Sequence, residues 1–191
     1  MSFVVSLNGF PAVGKRAVGE ALVRLLEPAV LLDNHATYAD LGFRLWPVST
    51  FKNAENLENW RALAADLRAA VYRSAARLPA ETSLILTNCL YQYYEADEDI
   101  AYLLHDLAAT RRASYLQVNL VCEPGEHRRR LAGRRAKNKL RSWPQLERIM
   151  LGNRLLSHDP DVIAIVEIDT TALSAAQTAL EIKSQLEPNR A

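Results

Sequence analysis

The clearest chemistry near the start of the sequence belongs to one stretch, Gly9-Phe10-Pro11-Ala12-Val13-Gly14-Lys15. It matches the pattern G-x-x-x-x-G-K. An apolar run at residues 3–7 precedes it and apolar residues at helical spacing follow it, which is the strand, loop and helix context that this motif requires. Glycines let the backbone turn so that successive N–H groups face one anion, and the start of the helix adds positive potential. We therefore expect this loop to bind the phosphates of a nucleotide, with Lys15 reaching the outer ones.

The two positions after this lysine depart from the usual pattern. A Ser or Thr hydroxyl ordinarily follows the lysine and binds Mg²⁺, whereas this chain has Arg16 and Ala17. We include both residues in the predicted nucleotide-binding loop. The sequence leaves the state of Mg²⁺ open: the ion is held differently, more weakly, or not at all.

Polar residues follow two later apolar runs. Residues 29–32 lead into Asp33 and His35, and residues 83–87 lead into Asn88. Because ligands of open α/β sheets bind at the carboxyl ends of the strands, we predict that Asp33 is a catalytic residue that orients a substrate hydroxyl and holds Mg²⁺ through a water molecule. His35 and Asn88 are candidate substrate contacts. The alternative is structural: Asp33 caps the turn after its strand, and His35 bonds a neighbouring group.

A strongly basic segment lies later in the chain. Residues 128–141 contain eight Lys and Arg residues and no Asp or Glu. Such a cluster can release counterions from a nucleic-acid backbone, but no aromatic residue accompanies these cations before Trp143, and the net charge of the whole chain is only +1. We therefore predict a basic lid at residues 124–142, and a nucleic-acid partner is disfavoured. The alternative, a solvated helix face, stays open for Arg128, Arg129 and Arg141.

Length and composition restrict the class of protein. With 191 residues and 49% hydrophobic content, the chain can bury a core of the size expected for a single α/β domain over residues 1–191. Cys89 and Cys122 have neither zinc-ligand nor disulfide-framework spacing, so we expect buried, reduced thiols. No apolar run reaches the roughly 18 residues that cross a bilayer, and no signal-peptide pattern opens the sequence. We expect a cytoplasmic protein without a membrane partner, as a monomer or homodimer.

Hydrophobic periodicity predicts alternating strands and helices. Strands are predicted at residues 3–7, 29–32, 83–87, 115–122 and 162–169. Helices are predicted at residues 14–26, 53–78, 95–112, 142–154 and 174–186, and residues 36–52 are expected to form a loop or short helices. Asn53 is a predicted N-cap, and Ser174 with Gln177 forms a predicted capping box. This alternation predicts an α/β fold of three layers, in which helices cover both faces of a five-stranded parallel sheet.

The order of elements and the loop at residues 9–15 resemble the small P-loop kinases, which include shikimate and gluconate kinases, nucleoside monophosphate kinases and chloramphenicol phosphotransferase. The sequence is also similar to uncharacterised AAA-type ATP-binding proteins of bacteria. This resemblance implies the P-loop NTPase fold, ATP as the cofactor and a mobile helical lid. Asp33-Asn34-His35 occupies the place of the D-x-D motif of shikimate kinases, with only the first acid kept.

Further matches to these kinases imply roles for residues outside the loop. Arg130 and Arg134 resemble the lid arginines of adenylate kinases, of which the first lies near adenine and the second contacts phosphate. One helical turn separates the two, so both are expected on one face of a helix. Trp60-Arg61 is similar to the aromatic and arginine pair with which shikimate kinases bind an anionic substrate. Thr170 and Thr171 follow the fifth predicted strand, where relatives line the adenine pocket.

The leading hypothesis is a kinase that transfers the γ-phosphoryl group of ATP to a hydroxyl group of an unidentified metabolite. Its catalytic residues are predicted to be Lys15, Asp33 and Arg134. Residues 36–78 are predicted to form a helical region that binds the acceptor.

Two alternatives remain open beside this hypothesis. One is a nucleotide-binding module that has lost efficient phosphoryl transfer. This hypothesis is favoured by Arg16, Ala17 and the neutral Asn88. The other is a kinase of nucleosides or of nucleic-acid 5′ ends.

Overall fold

A five-stranded parallel sheet forms the centre of the structure. The computed structural model of the chain describes residues 2–134, 140–157 and 165–186. The strands are β1 (Phe3–Asn8), β2 (Ala29–Asp33), β3 (Ser83–Thr87), β4 (Ser114–Val121) and β5 (Ile165–Asp169). Their order across the sheet is β2-β3-β1-β4-β5, and every neighbouring pair is parallel. The predicted fold class is confirmed.

Helices connect the strands. In the described part of the chain the α-helices are α1 (Lys15–Leu25), α2 (Asp40–Leu45), α3 (Ala54–Ala75), α4 (Glu95–Arg111), α5 (Pro124–Ala132), α6 (Trp143–Gly152) and α7 (Ala175–Leu186). A π-helical turn at His35–Ala39 and a 3-10 turn at Val48–Thr50 flank α2, which confirms the short helices predicted within residues 36–52. Across the described ranges, none of these helices combines the length and the apolar character needed to cross a membrane.

Alternate residues of β1 face opposite sides of the sheet. Val5 and Leu7 belong to an apolar cluster with residues of α1 and α7, whereas Val4 belongs to a second cluster with residues of α3 and α4. Because successive side chains of a strand point to opposite faces, one strand contributes to both cores. The helices thus form an outer layer on each face, and β1 is fixed between them as the central strand.

Strand β2 lies at one edge of the sheet. Its residues 29–32 are half-buried, and only Asp33 at its end is buried. Its alternate residues pack against both apolar clusters, but their burial is only partial, because an edge strand is covered less completely than a central one. The edge position still serves the site: Asp33 pairs in register with Thr87 of β3, so the carboxyl ends of the two strands meet.

Polar side chains begin two helices at the predicted positions. The side-chain oxygen of Asn53 accepts a hydrogen bond from the backbone N–H of Glu55 at 2.9 Å. The N–H of Ser174 donates to the side-chain oxygen of Gln177 at 2.9 Å, and the N–H of Gln177 donates to the Ser174 hydroxyl at 3.2 Å. Both caps are confirmed, and they satisfy N–H groups that have no acceptor within their helix. Helix α3 ends at Ala75 rather than at residue 78, and α6 ends at Gly152 rather than at residue 154.

Parts of two predictions lie outside the described residues. These are residues 162–164 of the predicted fifth strand and residues 135–139 of the predicted lid, which carry three of its cations. The described portion of the lid region consists of residues 124–134, which include α5, and residues 140–142.

Candidate nucleotide and acceptor site

The loop between β1 and α1 has the backbone geometry that its glycines permit. Gly9 has φ +150° and Gly14 has φ +112°, conformations that other residues rarely adopt. A Cβ atom on Gly9 would lie 2.7 Å from the carbonyl oxygen of Leu120, so the loop can approach β4 only with a glycine there. Ala12 is also left-handed, with φ +76°. We call residues 9–15, for which phosphate binding is predicted, the phosphate loop.

Lys15 is held against its own loop. Its Nζ donates hydrogen bonds to the carbonyl oxygens of Gly9 and Phe10. The ammonium group therefore lies over the turn, at the N-terminal end of α1, and both features favour an anion. A bound phosphate group would take the place of these carbonyl oxygens as the acceptor of the Lys15 hydrogen bonds.

His127 of α5 supports the phosphate loop through the backbone of Pro11, and no motif in the sequence predicts this role. The ring is 2% exposed, and its Nε2 donates to the carbonyl oxygen of Pro11 at 2.7 Å. A carbonyl can only accept, so Nε2 carries the proton. Burial lowers the pKa of His127 from its ordinary value of 6.5, and the nearby charges of Lys15 and Arg130 act in the same direction. His127 and the buried Leu131 are four residues apart, a spacing that indicates one inward helix face.

Arg130 joins the phosphate loop to the segment after β5. Its Nη1 donates to the carbonyl oxygen of Val13 and to the hydroxyl of Thr170, both at 2.8 Å, and its Nη2 donates to the carbonyl oxygen of Thr170 at 2.6 Å. Glu126 accepts from its Nε at 2.6 Å. Hydrogen bonds from Arg129 and then Arg130 lower the pKa of Glu126 to about 2. The planar guanidinium thus fixes three elements at once, as its forked donors allow.

Arg134 lines the same cavities as Arg130, but it does so from the segment after α5 and not from the helix itself. Helix α5 ends at Ala132, so Arg134 lies beyond it and the expectation of one shared helix face is wrong. Its Nη1 donates to the carbonyl oxygen of Leu140 at 3.0 Å, and burial lowers its pKa. The guanidinium remains charged, because the ordinary pKa of an arginine side chain is far above neutral pH.

Two adjoining cavities open around these groups. The smaller, of about 330 Å³, extends from the phosphate loop to the ends of β2 and β3. The larger, of about 590 Å³, extends from the loop to the start of α7 and includes Thr170 and Thr171. Both cavities share one set of lining residues: Ala12, Gly14, Ala17, Arg130 and Arg134. The shared set includes the Gly14 turn and two of the cations.

The smaller cavity ends at Asp33, which is 7% exposed. Its Oδ1 accepts a hydrogen bond from the hydroxyl of Thr87 at 2.8 Å, whereas its Oδ2 is buried and has no partner among the described residues. His35 also lines this end, and its Nδ1 lies 3.5 Å from a carboxylate oxygen of Asp40.

Cys89 lines the same cavity and is half-buried, whereas a buried thiol was predicted. Burial raises the pKa of this thiol.

Several predicted site residues lie away from the lining of both cavities. Asn88 is 3% exposed, and its side-chain amide donates to the hydroxyl of Ser6 at 3.1 Å. Arg61 is exposed on α3, where its charge acts on Asp97. Gly9 and Phe10 shape the loop from below: Gly9 contacts β4, and the ring of Phe10 lies 5.8 Å from that of Tyr91. The structure therefore brings Lys15, Arg16, Asp33 and His35 together and leaves Asn88 and Arg61 outside.

A chain of side-chain amides joins the strand ends beneath the loop. The Nδ2 of Asn8 donates to the carbonyl of Leu90 at 3.1 Å and to Oδ1 of Asn119 at 3.0 Å, and the N–H of Leu90 donates back to Oδ1 of Asn8 at 2.7 Å. Asn119 in turn donates to the carbonyl of Leu156 at 2.9 Å. We call these four residues the amide chain. Its only signal in the sequence is a polar residue near the end of each of two apolar strands, Asn8 and Asn119.

Solved structures match this chain over nearly its whole length. They include a kinase candidate from Chloroflexus aurantiacus (20% identity, TM-score 0.65, 98% of this chain and 97% of that chain). A thymidylate kinase from Candida albicans (13%, 0.63, 99% and 92%) and a shikimate kinase from Acinetobacter baumannii (18%, 0.56, 98% and 94%) match as well. The chain has the fold of the small P-loop kinases. Neither a family model nor a curated protein matches the sequence.

The residues around the P-loop do not fit a directly bound Mg²⁺. P-loop proteins hold this ion with the Ser or Thr after the lysine and an Asp at a strand end; here Arg16 follows the lysine, and β3 leads into the neutral Asn88. Among the described residues no group of three or more His, Cys, Asp or Glu side chains could hold a metal ion. Asp33 is the sole carboxylate among the residues described as lining the smaller cavity. Mg²⁺ requires several oxygen ligands, and the predicted contact of Asp33 with Mg²⁺ through water gains no second carboxylate from this described lining.

Proposed function

We propose that this protein is an ATP-binding kinase that transfers the γ-phosphoryl group to a hydroxyl group of a small molecule. The observation that carries the proposal is the position of Asp33, a buried carboxylate that lines the same cavity as Lys15 and the phosphate loop. A carboxylate that lines the cavity beside the phosphate loop is suited to accept the hydrogen bond of a substrate hydroxyl. The likeness in fold to solved kinases supports the same class of reaction.

The two cavities support separate places for the nucleotide and the acceptor. The larger cavity, lined by Thr170 and Thr171, is assigned to the nucleoside. The triphosphate then extends over the shared wall of Gly14 and Arg130 towards Lys15, and the acceptor enters the smaller cavity from the side of His35 and residues 36–78. In this arrangement α5, the described part of the proposed lid, contacts the nucleotide rather than the acceptor.

The residues would act mainly by position and charge. Phosphoryl transfer needs an acceptor oxygen in line with the leaving oxygen, and stabilisation of negative charge on the transferred group. Lys15 and Arg134 would supply positive charge there, Arg130 would hold the phosphates beside the loop, and Asp33 would orient the acceptor hydroxyl and receive its proton. None of these roles requires a nucleophile from the protein.

The proposal is tested by separating nucleotide binding from transfer. Calorimetric titration with ATP measures binding, and release of ADP with a panel of sugars, hydroxylated acids, nucleosides and oligonucleotides measures transfer. Lys15→Ala is expected to weaken ATP binding by about tenfold or more, because it removes a charged hydrogen-bond donor. Asp33→Asn is expected to retain the ATP affinity within about threefold and to lose most of the transfer rate. Lys52→Ala, an exposed lysine away from both cavities, is the control and should change neither.

Failure to bind ATP, or binding that Lys15→Ala leaves intact, would contradict the proposal. ATP binding without transfer to any acceptor would instead favour the second candidate, a nucleotide-binding module, which the presence of Arg16 and the burial of Asn88 against Ser6 support. Transfer confined to nucleosides or oligonucleotide ends would identify the acceptor class named as the third possibility. A cytoplasmic location and a monomeric or homodimeric state stay predictions.

A further inference from the structure

Arg16 presents unused donors to the smaller cavity. It is the second residue of α1, directly after Lys15, and it lines the cavity. Its Nε donates to a carboxylate oxygen of Glu20, one helical turn away, at 2.8 Å. Among the described residues no acceptor contacts its Nη1 or Nη2. Glu20 therefore holds the guanidinium by one edge and leaves the other edge for a ligand.

Asp33 lines the same cavity as Arg16. The hydrogen bond and charge of Glu20, and then the charge of Asp33, raise the pKa of Arg16, so the guanidinium is fully charged beside the phosphate loop. This permanent charge lies at the helix position whose Ser or Thr binds Mg²⁺ in other P-loop proteins. A divalent cation placed there would be repelled by Arg16 and would find no hydroxyl ligand.

We propose that the guanidinium of Arg16 occupies the position and supplies the charge that Mg²⁺ has in other P-loops, so that this site binds a nucleoside triphosphate without a divalent ion. The inference rests on the proposed function, since it concerns the same nucleotide. A guanidinium is suited to the task because it is always charged and its two outer nitrogens can donate together to one phosphate group.

The charges around the cavity support the same conclusion. The described lining contains four cations, Lys15, Arg16, Arg130 and Arg134, against one lining carboxylate, Asp33. The ion pairs of Arg16 with Glu20 and of Arg130 with Glu126 reduce this excess of positive charge but do not remove it. A nucleoside triphosphate carries more negative charge when it is free than when Mg²⁺ is bound to it. A lining with this excess of positive charge therefore favours the free form.

The test compares ATP affinity in excess Mg²⁺ with ATP affinity in EDTA, by calorimetry on the full chain. Wild type is expected to bind ATP in EDTA at least as tightly as in Mg²⁺. Arg16→Ser, which restores a hydroxyl at this position, is expected to lose about tenfold or more of its affinity in EDTA and to regain it in Mg²⁺. Arg16→Lys keeps the charge without the fork, and an intermediate loss is expected. Arg24→Ser, an exposed arginine on the same helix, is the matched control and should behave as wild type.

The inference would be overturned if the wild-type affinity for ATP rose about tenfold or more with Mg²⁺. It would also be overturned if Arg16→Ser bound ATP in EDTA as well as wild type does. In either case, sensitivity of binding to Lys15→Ala keeps the proposed function intact. Absence of ATP binding in both buffers overturns the two proposals together. Circular dichroism of each variant shows whether a loss of affinity comes from a loss of fold.

Discussion

At the scale of single residues, the contact between His127 and the phosphate loop is the one most open to test. His127 touches no cavity in the described lining, yet it fixes the carbonyl of Pro11. It is therefore a positioning residue. Three loop residues already have unusual backbone angles, Gly9, Ala12 and Gly14, and such conformations persist only where surrounding contacts hold them.

His127→Ala is expected to weaken ATP binding by roughly threefold to tenfold, because the loop loses one hydrogen bond of about 1 kcal/mol. His127→Gln, whose side-chain amide can place a donor near the position of Nε2, should recover most of the affinity. Calorimetric titration measures both variants.

His105→Ala provides the control for this prediction. His105 lies on α4 with its ring 6.4 Å from that of Tyr115, so its loss is expected to change stability without changing ATP affinity. Equal losses of affinity in His127→Ala and His127→Gln would contradict the role of the Pro11 contact.

Local patterns in the sequence were sufficient to predict where some residues lie in the structure. The phosphate loop, Asp33 and the capping residues all belong to motifs in which spacing along the chain decides the geometry. His127 and Asn8 could not be found in this way, since their partners lie 116 and 111 residues distant, at Pro11 and Asn119. Arg61 was assigned because Trp60-Arg61 resembles the aromatic and arginine pair of shikimate kinases, and only the packing of α3 shows that it faces outward.

At the scale of elements, Arg111 joins the end of α3 to the start of β3. This residue is 7% exposed, and its guanidinium donates to four carbonyl oxygens, those of Ala75, Leu78, Pro79 and Thr82. Carbonyls at a helix C-terminus have no partner within the helix and attract cations. One side chain of α4 thus binds the carbonyls at the end of α3 and those of the turn that leads into β3.

Arg111→Met is expected to lower the free energy of unfolding by about 2–3 kcal/mol, because the buried carbonyls lose charged donors. Urea denaturation at constant slope measures this loss. Arg73→Met, an exposed arginine on α3, is the matched control and should change stability by less than about 0.5 kcal/mol. A loss in Arg111→Met no larger than in this control would show that other groups satisfy these carbonyls.

Element types were predictable here because apolar periodicity and caps are local, whereas some element ends were not. Helix α5 ends before Arg134, although the basic pattern continues past it. Residues 29–32 form an apolar run like those of the inner strands, so nothing local marks β2 as an edge strand. Which strand lies at the edge depends on the crossover that each helix makes, and this is a property of tertiary packing.

At the scale of the whole molecule, stability is expected to depend on pH through His127. Burial lowers the pKa of His127 in the folded state below its ordinary value of 6.5. As the pH falls through 6.5, the unfolded chain takes up this proton first, so stability is present above that pH and is lost as the pH falls towards the folded-state pKa. Protonation would also add a charge near Lys15, Arg130 and Arg134.

The free energy of unfolding is therefore expected to fall more steeply between pH 7.5 and about pH 5.5 in wild type than in His127→Gln. Asp97 acts with the opposite sign at lower pH, since burial raises its pKa from 3.8. The difference between the two proteins removes its contribution, because both contain Asp97. Parallel pH profiles from urea denaturation would show that His127 can be protonated without loss of stability.

The amide chain has a consequence for how ligands enter. Asn8 and Asn119 lock the ends of β1 and β4 to Leu90 and Leu156 by side-chain bonds added to the sheet's own ladder, so these strand ends form a stiff platform. We therefore expect these strand ends to keep their spacing when a ligand binds, so that any widening of the smaller cavity falls on its other wall, which includes His35 of the π-helical turn at His35–Ala39.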